Sequence, residues 1–245
     1  MKKLFFMVWP LLAFLFMLEY LDHPAFAQDF EGMIEPFEIV KVSSQVPGII
    51  EEIPVERGDT VKKGQVVARL KAGIEKANVS QVRAQAEFLR RKLARNKDLI
   101  ETKHVSEHEK DELETELAKN EALLQDALEK LELRTIRSTV DGVVVKRELS
   151  AGEYVSDKPI LVIAQINPLN VEVVIPARRY GSVVKGMSAE VRPEAPVGGV
   201  YHGKVVIVDR VIDAASGSYA VRVELPNHGM KLPAGLKCRV RFLKK

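Results

Sequence analysis

The chain has one cysteine in 245 residues, Cys238, so no internal disulfide can form. No Cys or His pair stands beside it, and it reads as a small buried hydrophobe. Charge imbalance is also lacking. Lys and Arg number 37 against 34 Asp and Glu, and a net charge of +3 is too weak to argue for nucleic acid. Reactive constellations are missing too: there is no nucleophile–base arrangement and no phosphate-cradling loop. Met33, Met187 and Met230 are scattered, which gives no soft-metal site. His202 and His228 stand alone, and His23 falls in an N-terminal leader. His104 and His108 are four apart beside Glu107 and Glu109, but they straddle an expected turn and need not share a face. No catalytic, cofactor-binding or metal-ligating residue is nominated, and the chain is read as a non-enzyme without a cofactor.

Long hydrophobic runs are absent except at the N-terminus. Lys2 and Lys3 precede an apolar run from Leu4 to Leu18, followed by Ala25-Phe26-Ala27. This is the pattern of a secretory signal peptide, with cleavage expected after Ala27. The competing reading is an uncleaved anchor over Phe5 to Leu21, short for a span of about 20 residues. No cysteine near the site invites lipidation. The length allows one to three small domains.

Gly and Pro are missing from residues 74–133, which are dense in Ala, Leu, Glu, Lys, Arg and Gln. These are strong helix formers. Apolar residues recur in steps of three and four at Val79, Val82, Ala86, Leu89, Leu93 and Ile100, and again at Leu113, Leu117, Leu124, Ala127 and Leu131. That is a heptad seam. Ser106 and Glu109 form a capping-box pattern after a polar stretch. The spacing predicts two helices joined by a tight turn near Val105, each arm roughly 45 Å long. The first is basic and the second acidic, which favours antiparallel docking, although each exposed pair is worth only a few tenths of a kcal/mol. Asn96 and Asn120 fall on the seam. Two readings stand open: a register-fixing buried pair, or a frayed seam with both in water.

The remainder is rich in short period-two segments punctuated by Gly. One segment recurs. Val46-Pro47-Gly48-Ile49-Ile50 returns as Val140-Asp141-Gly142-Val143-Val144, Gly58-Asp59-Thr60-Val61 as Gly152-Glu153-Tyr154-Val155, and Val66-Val67 as Ile160-Leu161, always 94 residues later. Two copies of one supersecondary unit are implied. Gly48 and Gly142 suit tight bends, and Gly58 and Gly152 suit turns with positive φ. Each half exposes an apolar face alone, so the two should close a small β-sandwich, too small to hold a pocket, at the base of the helices. Ahead of it, residues 28–41 supply one edge strand around Phe37 to Val42. After it, Val171 to Pro176, Val221 to Leu225 and Val240 to Phe242 read as strands of a small antiparallel barrel.

The segment Gly58-Asp59-Thr60-Val61-Lys62-Lys63-Gly64-Gln65-Val66-Val67-Ala68 resembles a biotinyl/lipoyl half-domain. A lipoyl domain split by an α-hairpin and followed by a barrel resembles the periplasmic adaptors, or membrane fusion proteins, of the HlyD/RND-type efflux family. Fold class is therefore expected as mainly β with a long α-helical hairpin. The domains would be a signal peptide 1–27, a lead strand 28–41, lipoyl-like half one 42–73, the hairpin 74–133, half two 134–165 and the barrel 166–245. Arg95, Leu99 and Ser106 are similar to the Arg-Leu-Ser pattern by which adaptors meet a TolC-like outer-membrane channel. Arg95 and Leu99 share a helical face, and Ser106 follows the turn. The plainer reading makes them a surface charge, a core residue and a cap.

The resemblance implies a protein in the periplasm, associated with the inner membrane. It would bridge an inner-membrane transporter to that channel and self-associate into a ring. A membrane-proximal domain is expected to be missing or vestigial, which leaves the transporter class open. An envelope-assembly or accessory role without export is the alternative. A lipoyl or biotinyl carrier needs a Lys at a hairpin tip, and Lys71 lacks the Asp-Lys context.

Overall fold

The computed structural model describes residues 29–101 and 106–243, with backbone alone at 97–101. The expected signal peptide with its expected site after Ala27, His104 and the expected turn near Val105 lie outside the described residues. Two units are formed, one ending at Phe37 and resuming at Ile166, the other Glu38–Gln165.

In the Glu38–Gln165 unit the sequence repeat becomes an exchange of strands. The first copy gives β2 (Gly48–Glu52), β3 (Thr60–Val61) and β4 (Val66–Leu70). The second gives β6 (Gly142–Arg147), β7 (Tyr154–Val155) and the start of β8 (Leu161–Pro176). β3 pairs with β6, and β2 pairs with β7, so each copy lends its short strand to the other. The main chain repeats the exchange bond for bond. Gly58 N donates to Val144 O and Gly152 N to Ile50 O, both at 2.8 Å, while Val144 N donates to Asp59 O and Ile50 N to Glu153 O, both at 2.9 Å. Gly58 and Gly152 have φ of +98° and +89°, a region that favours glycine. The Asp59 and Glu153 carboxylates accept from Glu56 N and Ser150 N beside those turns.

The core obeys the same spacing. Val42 and Ile136, Ile50 and Val144, Val55 and Leu149, Val61 and Val155, and Val67 and Leu161 are all buried. Each half supplies apolar side chains that only the other half can cover, at about 1.5–3 kcal/mol per side chain. Gly48 and Gly142 have no positive φ and open strands rather than bends. What they provide is room. A Cβ on Gly142 would lie 2.4 Å from Ala164 O, and one on Gly48 would lie 2.6 Å from Arg134 Nη1.

Two helices separate the copies, α1 (Gly73–Glu101) and α2 (Glu107–Glu132). Ser106 caps α2, its Oγ accepting from Glu109 N at 3.2 Å. The helices run antiparallel, because Arg90 reaches Glu121 near mid-length while Glu75 reaches Arg134 at the base. Every seam residue with a described side chain is buried or half-buried, from Val79, Ala86 and Leu89 to Leu113 and Ala127. Between α2 and β6, β5 (Thr135–Arg137) pairs with β4.

The other unit is a six-stranded barrel in the order β1-β12-β9-β10-β11-β8, closed by β1 against β8. Its remaining strands are β9 (Ser188–Pro193), β10 (Tyr201–Val208), β11 (Ser218–Leu225) and β12 (Lys237–Leu243). Leu169, Val171, Val173 and Ile175 of β8 face Tyr219, Val221, Val223 and Leu225 of β11 in a core of strict period two.

One expectation is corrected here. The lead strand is not confined to Phe37–Val42: β1 runs Asp29–Val42, because Asp29–Met33 pair with β12 and so complete the barrel.

Candidate docking site at the helix tip

Arg95 lies in α1 with an exposed side chain. Leu99 lies in the same helix, and its side chain is outside the described residues. Ser106 is exposed at the first position before α2, with φ −71° and ψ 149°. Its oxygen is occupied by Glu109 N, but its O–H proton remains available to a partner. Arg95 and Leu99 are one turn apart on the helix backbone, and the segment that would bring Ser106 to them, 102–105, is outside the described residues.

Asn96 and Asn120 are half-buried, and Asn120 Nδ2 donates to Glu116 O of its own helix at 2.9 Å. That bond uses the amide locally rather than across the seam. His108 faces Glu112 at 3.3 Å, both exposed. Among the described residues no group of three His, Cys, Asp or Glu could hold a metal. Lys71 follows β4 on the way into α1, with its backbone N donating to Ile49 O at 2.9 Å. Burial is the main cause, and the Glu194 charge the lesser one, of a Cys238 thiol pKa pushed up to about 11.

Two features escaped the sequence. One is Arg134, where α2 returns to the sheets. Its Nη1 donates to Pro47 O at 2.9 Å and its Nη2 to Glu75 Oε1 at 2.7 Å. Both side chains of that ion pair are about a fifth exposed (21% and 17%). The guanidinium thus ties the first turn of α1 and the end of α2 to the entry of β2, in the space that Gly48 leaves open. The missing Cβ at Gly48 was the only signal. The other is a groove of about 860 Å³ between Lys41, Ser44, Lys63, Glu132, Arg137 and Thr139. The expectation that the sandwich is too small for a pocket is corrected to this extent. Its walls are strand edges and charged side chains.

The architecture is thus one of paired helices carried between interleaved half-sandwiches, and of a barrel completed by the strand that leads in. The sequence profile of the CzcB-like, barrel-sandwich hybrid domain matches residues 38–165, and that of the CusB-like, beta-barrel domain matches residues 169–245. The chain belongs to this family, the RND-type membrane fusion adaptors. It is 26% identical over 220 residues to the nodulation protein NolF of Rhizobium meliloti, covering 84% of this chain and 60% of that protein. It is 23% identical over 224 residues to the solvent efflux pump periplasmic linker SrpA of Pseudomonas putida, covering 85% and 59%. The chain thus spans about three fifths of the length of these relatives. A chimera of MacA and MexA carrying the Pseudomonas aeruginosa MexA α-hairpin superposes with a TM-score of 0.73 at 22% identity, covering 88% of this chain and 80% of that one. Among the described residues no helix is long and apolar enough to cross a membrane.

Proposed function

We propose that the chain is a periplasmic adaptor of a tripartite efflux or secretion system, joining an inner-membrane transporter to a TolC-like outer-membrane channel. The helix pair is its arm, and Arg95, Leu99 and Ser106 are the contacts at its tip. The observation that carries this reading is the exposure of Arg95 and of the Ser106 cap at the end of a helix pair anchored at its base by Arg134. The guanidinium offers a forked donor and the cap hydroxyl a second, both suited to acceptors on the channel's helical ends. Family membership and an efflux-pump linker among the relatives support the same direction.

The domain assignment goes with it: a signal peptide 1–27 removed after Ala27, a lead strand 28–41, lipoyl-like halves 42–73 and 134–165, a hairpin 74–133 and a barrel 166–245. Several copies associate side by side into a ring that seals the conduit. The adaptor acts by geometry and binds its partners without chemistry.

The test is photocrosslinking in intact cells from a reactive residue at position 106, with the captured partner identified by mass spectrometry. An outer-membrane channel is expected, with capture reduced by Arg95→Asp. Capture of a periplasmic enzyme alone, with export intact in the Arg95→Asp strain, refutes tip docking and favours an envelope-assembly role.

A further inference from the structure

One end of the barrel is built differently from an ordinary solvated rim. Strand registers bring the end of β8 at Pro176, the end of β10 near Val208 and the start of β11 at Ser218 to the same end as Asp29. The connections there, 177–187 and 209–217, are fastened to each other. Ala177 N donates to Gly217 O at 2.8 Å, Tyr219 Oη donates to Arg179 O at 3.1 Å, and the Tyr180 ring meets the Tyr219 ring edge-on at 5.2 Å. Asp213 organises the second loop from within. Its carboxylate accepts from Ala215 N and from the Ser216 hydroxyl, and those bonds hold its pKa below the usual carboxylate range.

These fastened loops display apolar side chains outward. Val211 is 80% exposed, Val184 55%, Tyr180 52% and Ile212 42%. A shallow recess joins Tyr180 and Val184 to Ile207. Around them stand Arg178, Lys185 and Arg210, exposed and without an ion pair among the described residues. The acids nearby do not cancel them. Asp213 is turned into its own loop, Asp29 is paired with Arg241 at 2.8 Å, and Asp209 remains. Apolar tips ringed by cations match the interface of a bilayer with anionic headgroups. Tyr is suited to that boundary.

We propose that this end of the barrel is a membrane-surface contact. Val184, Val211, Ile212 and Tyr180 would settle at the headgroup boundary, and Arg178, Lys185 and Arg210 would bind lipid phosphates. This is independent of what the helix tip docks on.

The test uses the full chain with Ile212→Cys carrying an environment-sensitive fluorophore; Cys238 is buried and should escape the label. Val197, in the connection between β9 and β10 at the opposite end of the barrel, is labelled separately as the reference. Vesicles of phosphatidylcholine with a third phosphatidylglycerol should blue-shift the label at 212 and leave that at 197 unchanged. Phosphatidylcholine alone should shift neither label. Each cation removed should weaken binding about fivefold. The combined R178E/K185E/R210E variant should therefore lose roughly a hundredfold while keeping its β-sheet circular dichroism. No shift at 212, an equal shift at 197, or undiminished binding by the triple variant overturns the proposal. So does an intact-cell crosslink from position 212 that captures an acidic protein in place of lipid, which would make this end a protein interface.

Discussion

The two glycines that open β2 and β6 occupy equivalent places in the repeat, yet replacing each with alanine should have unequal effects. At Gly142 the new Cβ meets Ala164 O at 2.4 Å, Ala164 C at 2.9 Å and Ile163 Cγ2 at 2.9 Å. Two of these are backbone atoms of β8, the strand paired with β6, so relief requires moving a strand in a filled core. Overpacking of this kind costs about 1–3 kcal/mol, and rigid neighbours place it at the upper end. At Gly48 the obstruction is Arg134 Nη1 at 2.6 Å, the far end of a flexible side chain. It can swing away, at the expense of its bonds to Pro47 O and Glu75. A hydrogen bond to a charged group is worth about 1.5 kcal/mol, and partial exposure reduces this, so about 1 kcal/mol is expected. For a unit of this size each kcal/mol shifts the melting temperature by roughly 3–5 °C. Gly142→Ala should therefore melt about 10 °C lower and Gly48→Ala about 4 °C lower, by scanning calorimetry of the unit's transition. Adding Arg134→Ala to Gly48→Ala should cost little more, since the guanidinium has already been displaced. Equal shifts at the two sites, or a larger one at Gly48, would refute the assignment of backbone against side-chain obstruction.

Other consequences can be measured independently. Gly58→Val places a β-branched residue at φ +98° with nothing within 4 Å of its Cβ, so the cost is wholly conformational, roughly 2–3 kcal/mol; an unchanged melting temperature would contradict the turn. Arg95→Asp should abolish export while leaving the melting temperature within a degree or two, because the side chain is exposed; drug-accumulation assays in cells beside calorimetry separate the two effects. Cys238 has a folded pKa raised to about 11 against 9.0 for the free thiol. Its protonated form is thus favoured by folding, and its contribution is fully present below pH 9 and lost as pH rises from there through 11. Denaturation at pH 7 and pH 10.5 should show less alkaline loss in Cys238→Val than in the parent, and an identical loss would remove the thiol from the account.

The helices were legible because their signals are local. Val79, Ala86 and Leu89 recur at helical spacing and are buried as that spacing requires, and Ser106 needs only Glu109, three residues on, to act as a cap. The tip was legible only as a pattern of residue types. Whether Arg95, Leu99 and Ser106 converge depends on a turn that leaves no periodic mark on the sequence.

The repeat marks the boundary between the two kinds of knowledge. The spacing of 94 residues, read from sequence alone, told which positions are equivalent and that the copies must cover each other. It did not tell that they exchange β3 and β7, since a strand of two residues carries too little pattern to name its partner. Nor could it assign Asp29–Met33 to β12, a pairing that joins Asp29 to Arg241 across almost the whole chain. Residue spacing determines periodicity, caps and equivalence, because those depend on neighbours a few positions away. Tertiary structure decided which edge closes the barrel, what fills the space above Gly48 and which loops meet at the barrel end, because each depends on distant groups competing for the same unpaired backbone and the same small volume.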